Sequence, residues 1–209
     1  MATTTAALGR RDRNMLEKRE RIFAAAAELF QERGFAAVTT QEISERADVA
    51  AGTLFRYAAT KGELLLMVYN ELLRASVEEG RRAAAERGDT ADAVYAMVAP
   101  IVTDAARAPE NATAYQRELL FGPPTEQYRG AGLELIAEIE RSIAARLLAD
   151  HPATGADAAR LAAASVFAVT HLAIARNSTG AHAHHDTLDD LRTQIAQLVA
   201  GARTGTPAR

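Results

Sequence analysis

Apolar positions recur along most of this chain every three to four residues, the spacing that lines up side chains on one face of an α-helix. Between Arg13 and Arg33, Ile22, Ala26, Leu29 and Phe30 fall at i, i+4, i+7 and i+8, and Gly34 stands where a glycine just past the last turn would end the helix. Phe35 and Val38 then point back into the same core. Thr39, with Glu42 three residues on, has the form of a capping box, so a short helix is predicted from Thr39 or Thr40 to Ala47 or Asp48. A third helix follows Val49, with Gly52-Thr53 near its start and Leu54 on its buried side. Longer helices are predicted at about 61–86, 91–107, 112–121, 125–149, 156–177 and 187–202, separated by breaks rich in glycine and proline. No internal repeat is present. Residues 1–15 read as a flexible basic arm, and residues 203–209 as a disordered tail.

Composition agrees with helix, because 48 alanines stand against 10 valines and 8 isoleucines. Cysteine is absent, which excludes disulfides, thiolate metal sites and cysteine nucleophiles and fits a reducing, cytoplasmic home. Charged residues interrupt the apolar runs, so neither a membrane span nor a signal peptide is expected. The 24 basic and 27 acidic side chains give a net charge of −3, which excludes a globally basic nucleic-acid binder. The charge is unevenly spread. Arg10 to Gly62 holds ten basic and eight acidic residues, or +2, which leaves −5 for the remainder. An electropositive N-terminal module on an acidic body fits this pattern, as does ordinary surface variation.

Two short helices joined by a tight connection and braced by longer ones match a helix-turn-helix, whose second short helix enters the DNA major groove. The run from Thr39 to Tyr57, followed by Lys61 and Leu64, resembles the DNA-binding motif of the TetR family of bacterial transcriptional regulators. Arg21-Ile22 through Ala25, Leu29-Phe30 and Gly34-Phe35 are similar to that family's first helix. The resemblance is close over about residues 16–76, the predicted DNA-binding domain with its motif at about 39–58; for the rest it lies only in length and helical layout. It implies an all-α homodimer with an N-terminal helix-turn-helix domain and a larger helical domain, here 77–202, for effector binding and dimerisation. It also implies a repressor released from an inverted-repeat operator by a small molecule. The partners expected are double-stranded operator DNA, a second copy of the chain and a largely apolar effector, with no cofactor.

Each motif position has a physical role. Thr40 and Gln41 open the first short helix, where side chains and unpaired N–H groups can meet phosphate; capping suits Thr39 better. Ala51 and Gly52 begin the reading helix, and Thr53 can offer a hydroxyl to phosphate or a methyl to thymine. Phe55 and Tyr57 are expected on the exposed flank, since Leu54 already fills the buried slot. Arg56 is the candidate for guanine readout, and equally for a phosphate clamp. Lys61 is the candidate phosphate contact at the start of the next helix, a solvated lysine being the alternative. Two departures from the family pattern stand out. Ala50-Ala51 replaces polar residues before Gly-Thr, removing a helix cap and a base contact, and Ala58-Ala59-Thr60 replaces Phe-Pro-Ser.

In the body, Met67, Tyr95, Tyr115, Phe121, Tyr128, Phe167 and His171 are candidates for an effector pocket, although each also suits a core. Leu188, Leu191, Ile195 and Leu198, spaced 3, 4, 3, together with Leu161, Ser165, Ala168 and Leu172, are candidates for a dimer seam, with packing inside one chain as the alternative. His182, His184, His185 and Asp186 lie in a Gly/Ala-rich break and read as a solvated loop, with Asp186 as a helix cap, so no metal site is expected. Two other classes compete: a ligand-binding or adaptor dimer without DNA activity, and a helical enzyme using the carboxylates of Asp186 to Asp190 on a metal–diphosphate. The second lacks a partner acidic cluster on another helix.

Overall fold

The computed structural model describes residues 9–124, 126–179 and 186–204. The described residues are helical, without strands: α1 (Arg10–Ala37), α2 (Thr40–Arg46), α3 (Ala51–Leu54), α4 (Lys61–Ala85), α5 (Thr90–Arg107), α6 (Pro109–Phe121), α7 (Gln127–Asp150), α8 (Ala156–Thr179) and α9 (Thr187–Thr204). Gly34 adopts φ 77°, a left-handed conformation that glycine takes without steric cost, so the regular part of α1 stops there as predicted. Thr39 and Glu42 form the reciprocal capping box. Thr60 and Asp89 cap α4 and α5 by accepting the N–H groups of Glu63 and Asp92. Asp186 Oδ1 accepts the N–H groups of Leu188 and Asp189, the cap expected for α9.

Three expectations are corrected. The basic segment is not a loose arm: from Arg10 onward it is the first turns of α1, while residues 1–8 lie outside the described residues. Helix α6 starts at Pro109 rather than 112, because proline at the first helical position lacks only an N–H that would have no helical partner there. Helix α9 continues through Thr204, so 203 and 204 do not belong to a tail; 205–209 lie outside the described residues. Helix α8 contains an 18-residue stretch of mean hydropathy 1.6, so by length and composition it could cross a membrane. Its contacts instead make it a central helix, packed on α5, α6, α7 and α9.

Two apolar cores organise the chain. One gathers Ile22, Leu29, Phe30, Val38, Ile43, Leu54 and Leu64 to Val68, and extends to Tyr115 and Leu119 of α6 and Tyr128 of α7. The other joins α5, α7, α8 and α9 through Val94, Val98, Ile143, Leu147, Val166, Leu191 and Ile195. Helix α4 contributes to the first core and packs along α5. At Gly80 the two backbones nearly touch, since a Cβ there would lie 2.3 Å from the Met97 carbonyl oxygen. The neighbouring Ala96 carbonyl would ordinarily bond the N–H four residues on, which Pro100 lacks.

Candidate functional site

Helices α2 and α3 meet through a tight turn. Val49 N–H donates to Ser44 O and Asp48 N–H to Glu45 O, the paired bonds of a Schellman ending, with Asp48 in the left-handed region at φ 53°. Arg21 pairs with Asp48 at 3.1 Å. Helix α1 holds α2 through Arg33–Glu42 at 2.7 Å and Arg46–Glu28 at 3.1 Å. Arg33 and the Thr39 hydrogen bonds hold the Glu42 carboxyl down to about 2, so it stays ionised and keeps the cap closed. Leu54 is fully buried beneath α3. Ala50 precedes α3 without a side-chain cap, as its replacement of a polar residue implies.

Above Leu54, the outward surface carries Ala51, Gly52, Phe55 and Arg56, with Thr53 half-buried. Phe55 is 48% exposed. Arg56 N–H donates to Thr53 O within the turn, while its exposed guanidinium makes no hydrogen bond or ion pair with any described residue and is free to reach outward. Thr40 is half-buried at the first turn of α2, and the exposed Gln41 donates to Glu45. Two candidates are placed differently from expectation. Tyr57 is half-buried and its hydroxyl donates to the Met15 carbonyl at 3.1 Å, bracing α1 against the turn after α3. Lys61 is turned back onto the chain rather than outward: Nζ donates to Phe35 O and Val38 O, each at 2.9 Å, and lies 4.3 Å from the Phe35 ring centroid. It closes the carbonyls of the link between α1 and α2.

Sequence reasoning missed the joint between this module and the body. Asn111, buried at the start of α6, donates through Nδ2 to Phe30 O at 2.8 Å and accepts from Phe35 N–H at 2.7 Å. Glu110 accepts from Ala36 N–H. The first turn of α6 therefore grips the kink at Gly34. A second joint forms where buried Glu63 accepts from Ala59 N–H and Gln127 N–H, tying the chain after α3 to the start of α7. A polar Asn just inside a proline-initiated helix was the available signal, but nothing local says that it faces α1.

A cavity of about 90 Å³ lies among α4, α5, α6, α7 and α8. Its walls include Tyr69, Leu72, Ile101, Tyr115, Leu119, Ile136, Phe167 and His171. Tyr115, Phe167 and His171 were candidates and line it. Met67, Tyr95, Phe121 and Tyr128 do not. Met67 and Tyr128 are buried in the first core, Phe121 is 82% exposed at the end of α6, and Tyr95 stands in a surface groove with the Arg192 guanidinium over its ring. Burial pushes the Tyr115 phenol well above its ordinary value, and its hydroxyl donates to Asn70. Burial also pushes the His171 imidazole below its ordinary value.

The candidate dimer residues divide in two. Leu191 and Ile195 are fully buried within the chain and cannot reach a partner; Leu188 and Leu198 pack partly against the same core. That seam is intramolecular, because α9 lies against α5 and α8. On α8, by contrast, Leu161 is 56% exposed and Leu172 47%, with exposed Ala168 and half-buried Ser165 between them on one face. His182, His184 and His185 lie outside the described residues, and among the described residues no three potential metal ligands cluster.

The fold and the exposed short helix define a helix-turn-helix protein with an all-helical body. Residues 22–68 match the family described as "Bacterial regulatory proteins, tetR family". The HTH-type transcriptional repressor KstR of Mycolicibacterium smegmatis is 29% identical over 135 residues, 64% of each chain. KstR of Rhodococcus jostii is 46% identical over 50 residues, 24% of each chain. Both matches thus span less than two thirds of these curated relatives. Among solved structures, a TetR transcriptional regulator from Rhodococcus sp. RHA1 superposes with a TM-score of 0.70 at 20% identity, covering 88% of this chain and 97% of its own. Thermus thermophilus FadR, a TetR-family transcriptional repressor in complex with lauroyl-CoA, gives 0.68 at 26% identity, covering 91% and 98%. Residues 22–68 are thus similar to the TetR family of bacterial regulatory proteins, and the chain as a whole shares the fold of TetR-family regulators of known structure.

Proposed function

We propose that this protein is a cytoplasmic transcriptional repressor that binds an inverted-repeat operator as a homodimer and leaves it when a largely apolar small molecule fills the cavity. The observation that carries the reading is the Asn111 joint, because α6 both lines the cavity and holds the end of α1. A drug-sized ligand needs roughly 300–1,000 Å³. The present space is about 90 Å³, so an effector must push the walls apart. Displacement of α6 then pulls at the Gly34 kink and re-aims the helix-turn-helix, shifting the population away from the DNA-competent form.

Arg56 and Thr53 carry base or phosphate contacts, Phe55 supplies apolar contact, and the first turns of α1 bring Arg10, Arg11 and Arg13 toward the backbone. The exposed α8 face, continuous in Leu161, Ser165, Ala168 and Leu172, is the surface for the second copy. The lauroyl-CoA bound to the Thermus repressor supports an acyl chain as one class of effector. The test is a mobility shift on host DNA fragments selected by the protein, with lauroyl-CoA and a non-acylated CoA control added to the bound complex. Binding to selected fragments at nanomolar protein supports the regulator; failure to bind any fragment in preference to competitor DNA refutes it.

A further inference from the structure

The cavity walls are almost wholly apolar, and most of their polar groups are engaged. Ser76 Oγ donates to Asp104 Oδ2 at 2.6 Å, and Asp104 also accepts from Arg107 at 2.6 Å. Thr170 Oγ1 donates to Val166 O, Tyr115 OH to Asn70 and Gln116 Nε2 to the His171 carbonyl. Among the lining residues, His171 Nε2 is shut off from solvent and has no hydrogen-bond partner among the described residues. Its ring packs on Phe167 one turn earlier, with centroids 5.2 Å apart. An unpaired buried ring nitrogen is costly, and here it belongs to the wall of a cavity.

Charge narrows the occupant further. No lysine or arginine is among the lining residues, and the one carboxylate there, Asp104, is paired. An anionic group inside would lie uncompensated in apolar surroundings. Resting on the effector-cavity reading above, we propose that His171 Nε2 is the polar anchor of that cavity, and that the enclosed part of the effector is uncharged and carries one carbonyl or hydroxyl oxygen that pairs with it. Partial burial disfavours the protonated form of the half-buried imidazole, and in the neutral ring one nitrogen donates and the other accepts according to tautomer. The aromatic rings of Tyr69, Tyr115 and Phe167 suit a flat apolar body beside that oxygen.

Three probes of similar shape separate the possibilities: benzylacetone, butylbenzene and phenylbutyrate, titrated calorimetrically into the full-length protein. Benzylacetone is expected to bind roughly tenfold or more tightly than phenylbutyrate, since the carboxylate finds no partner cation. In His171→Leu the preference for benzylacetone over butylbenzene should fall roughly three- to tenfold, and His171→Gln, which keeps a donor and an acceptor, should regain most of it. Circular dichroism melts confirm that the variants are folded, and the His171→Gln comparison stands alone if the leucine variant is not. Benzylacetone binding with an unchanged preference in the folded variants overturns the anchor and leaves the cavity reading intact. Equal affinity for phenylbutyrate overturns the charge argument. If none of the three binds the wild-type protein, both this inference and the cavity reading fall.

Discussion

Replacing Lys61 by methionine keeps the apolar stem and removes the ammonium that closes the link between α1 and α2. Two hydrogen bonds of 2.9 Å from a charged donor are lost, together with the contact to the Phe35 ring. Bonds to charged groups contribute about 1.5–3 kcal/mol each and an exposed cation–π contact about 0.5–1 kcal/mol. Lys61 is only half-buried, so water can reach part of the site and take over part of the bonding. The net cost worked from these terms is about 2–4 kcal/mol, and a chain of this size loses about 2–4 °C in Tm per kcal/mol. Urea and thermal unfolding followed by circular dichroism read the change directly. A Lys61→Met protein that melts within about 0.5 kcal/mol of wild type, yet binds DNA weakly with a shallower salt dependence, would refute the internal role and make Lys61 a phosphate contact.

Arg56→Ala should leave unfolding unchanged and weaken operator binding; a loss of about 1–3 kcal/mol per half-site at one base pair indicates guanine readout, and a uniform loss across sequences a phosphate clamp. Leu54→Ala should instead destabilise the domain by about 2–5 kcal/mol, because that side chain is fully buried. Asn111→Ala strands Phe30 O and Phe35 N–H, which should cost about 2–4 kcal/mol and blunt the release of DNA by effector, read as a smaller effector-induced change in operator Kd. His171 has its folded-state value depressed below about 6.5, so the unfolded chain binds more protons as pH falls through that value. Stability present at neutral pH should therefore decline below about pH 6.5, and His171→Gln should decline less over the same range.

What was legible in the sequence was local. The capping box at Thr39-Glu42, the glycine at 34 and the buried Leu54 each depend on neighbours within a few residues, and the structure places them as read. Asp48 was not legible as a left-handed residue, since glycine or asparagine more often takes that place. Periodicity shows that a side chain faces inward but not what it meets. Met67 and Tyr128 fill a core while Phe167 and His171 line a cavity, although all sit on apolar helix faces. Leu191 and Ile195 show the same limit: a 3, 4 repeat describes any lengthwise helix contact, and here it lies within the chain. The cavity takes side chains from five helices spread over more than a hundred positions, a convergence that no local pattern encodes.

The most direct test of the account is footprinting of the full-length protein on genomic fragments it selects, with Arg56→Ala in parallel. The account predicts a protected inverted repeat whose half-site centres lie about one helical turn of DNA, or a multiple of it, apart, with protection lost at matching positions in both half-sites for the variant. No selected fragment above competitor DNA, or an unchanged two-fold footprint for folded Arg56→Ala, would contradict it.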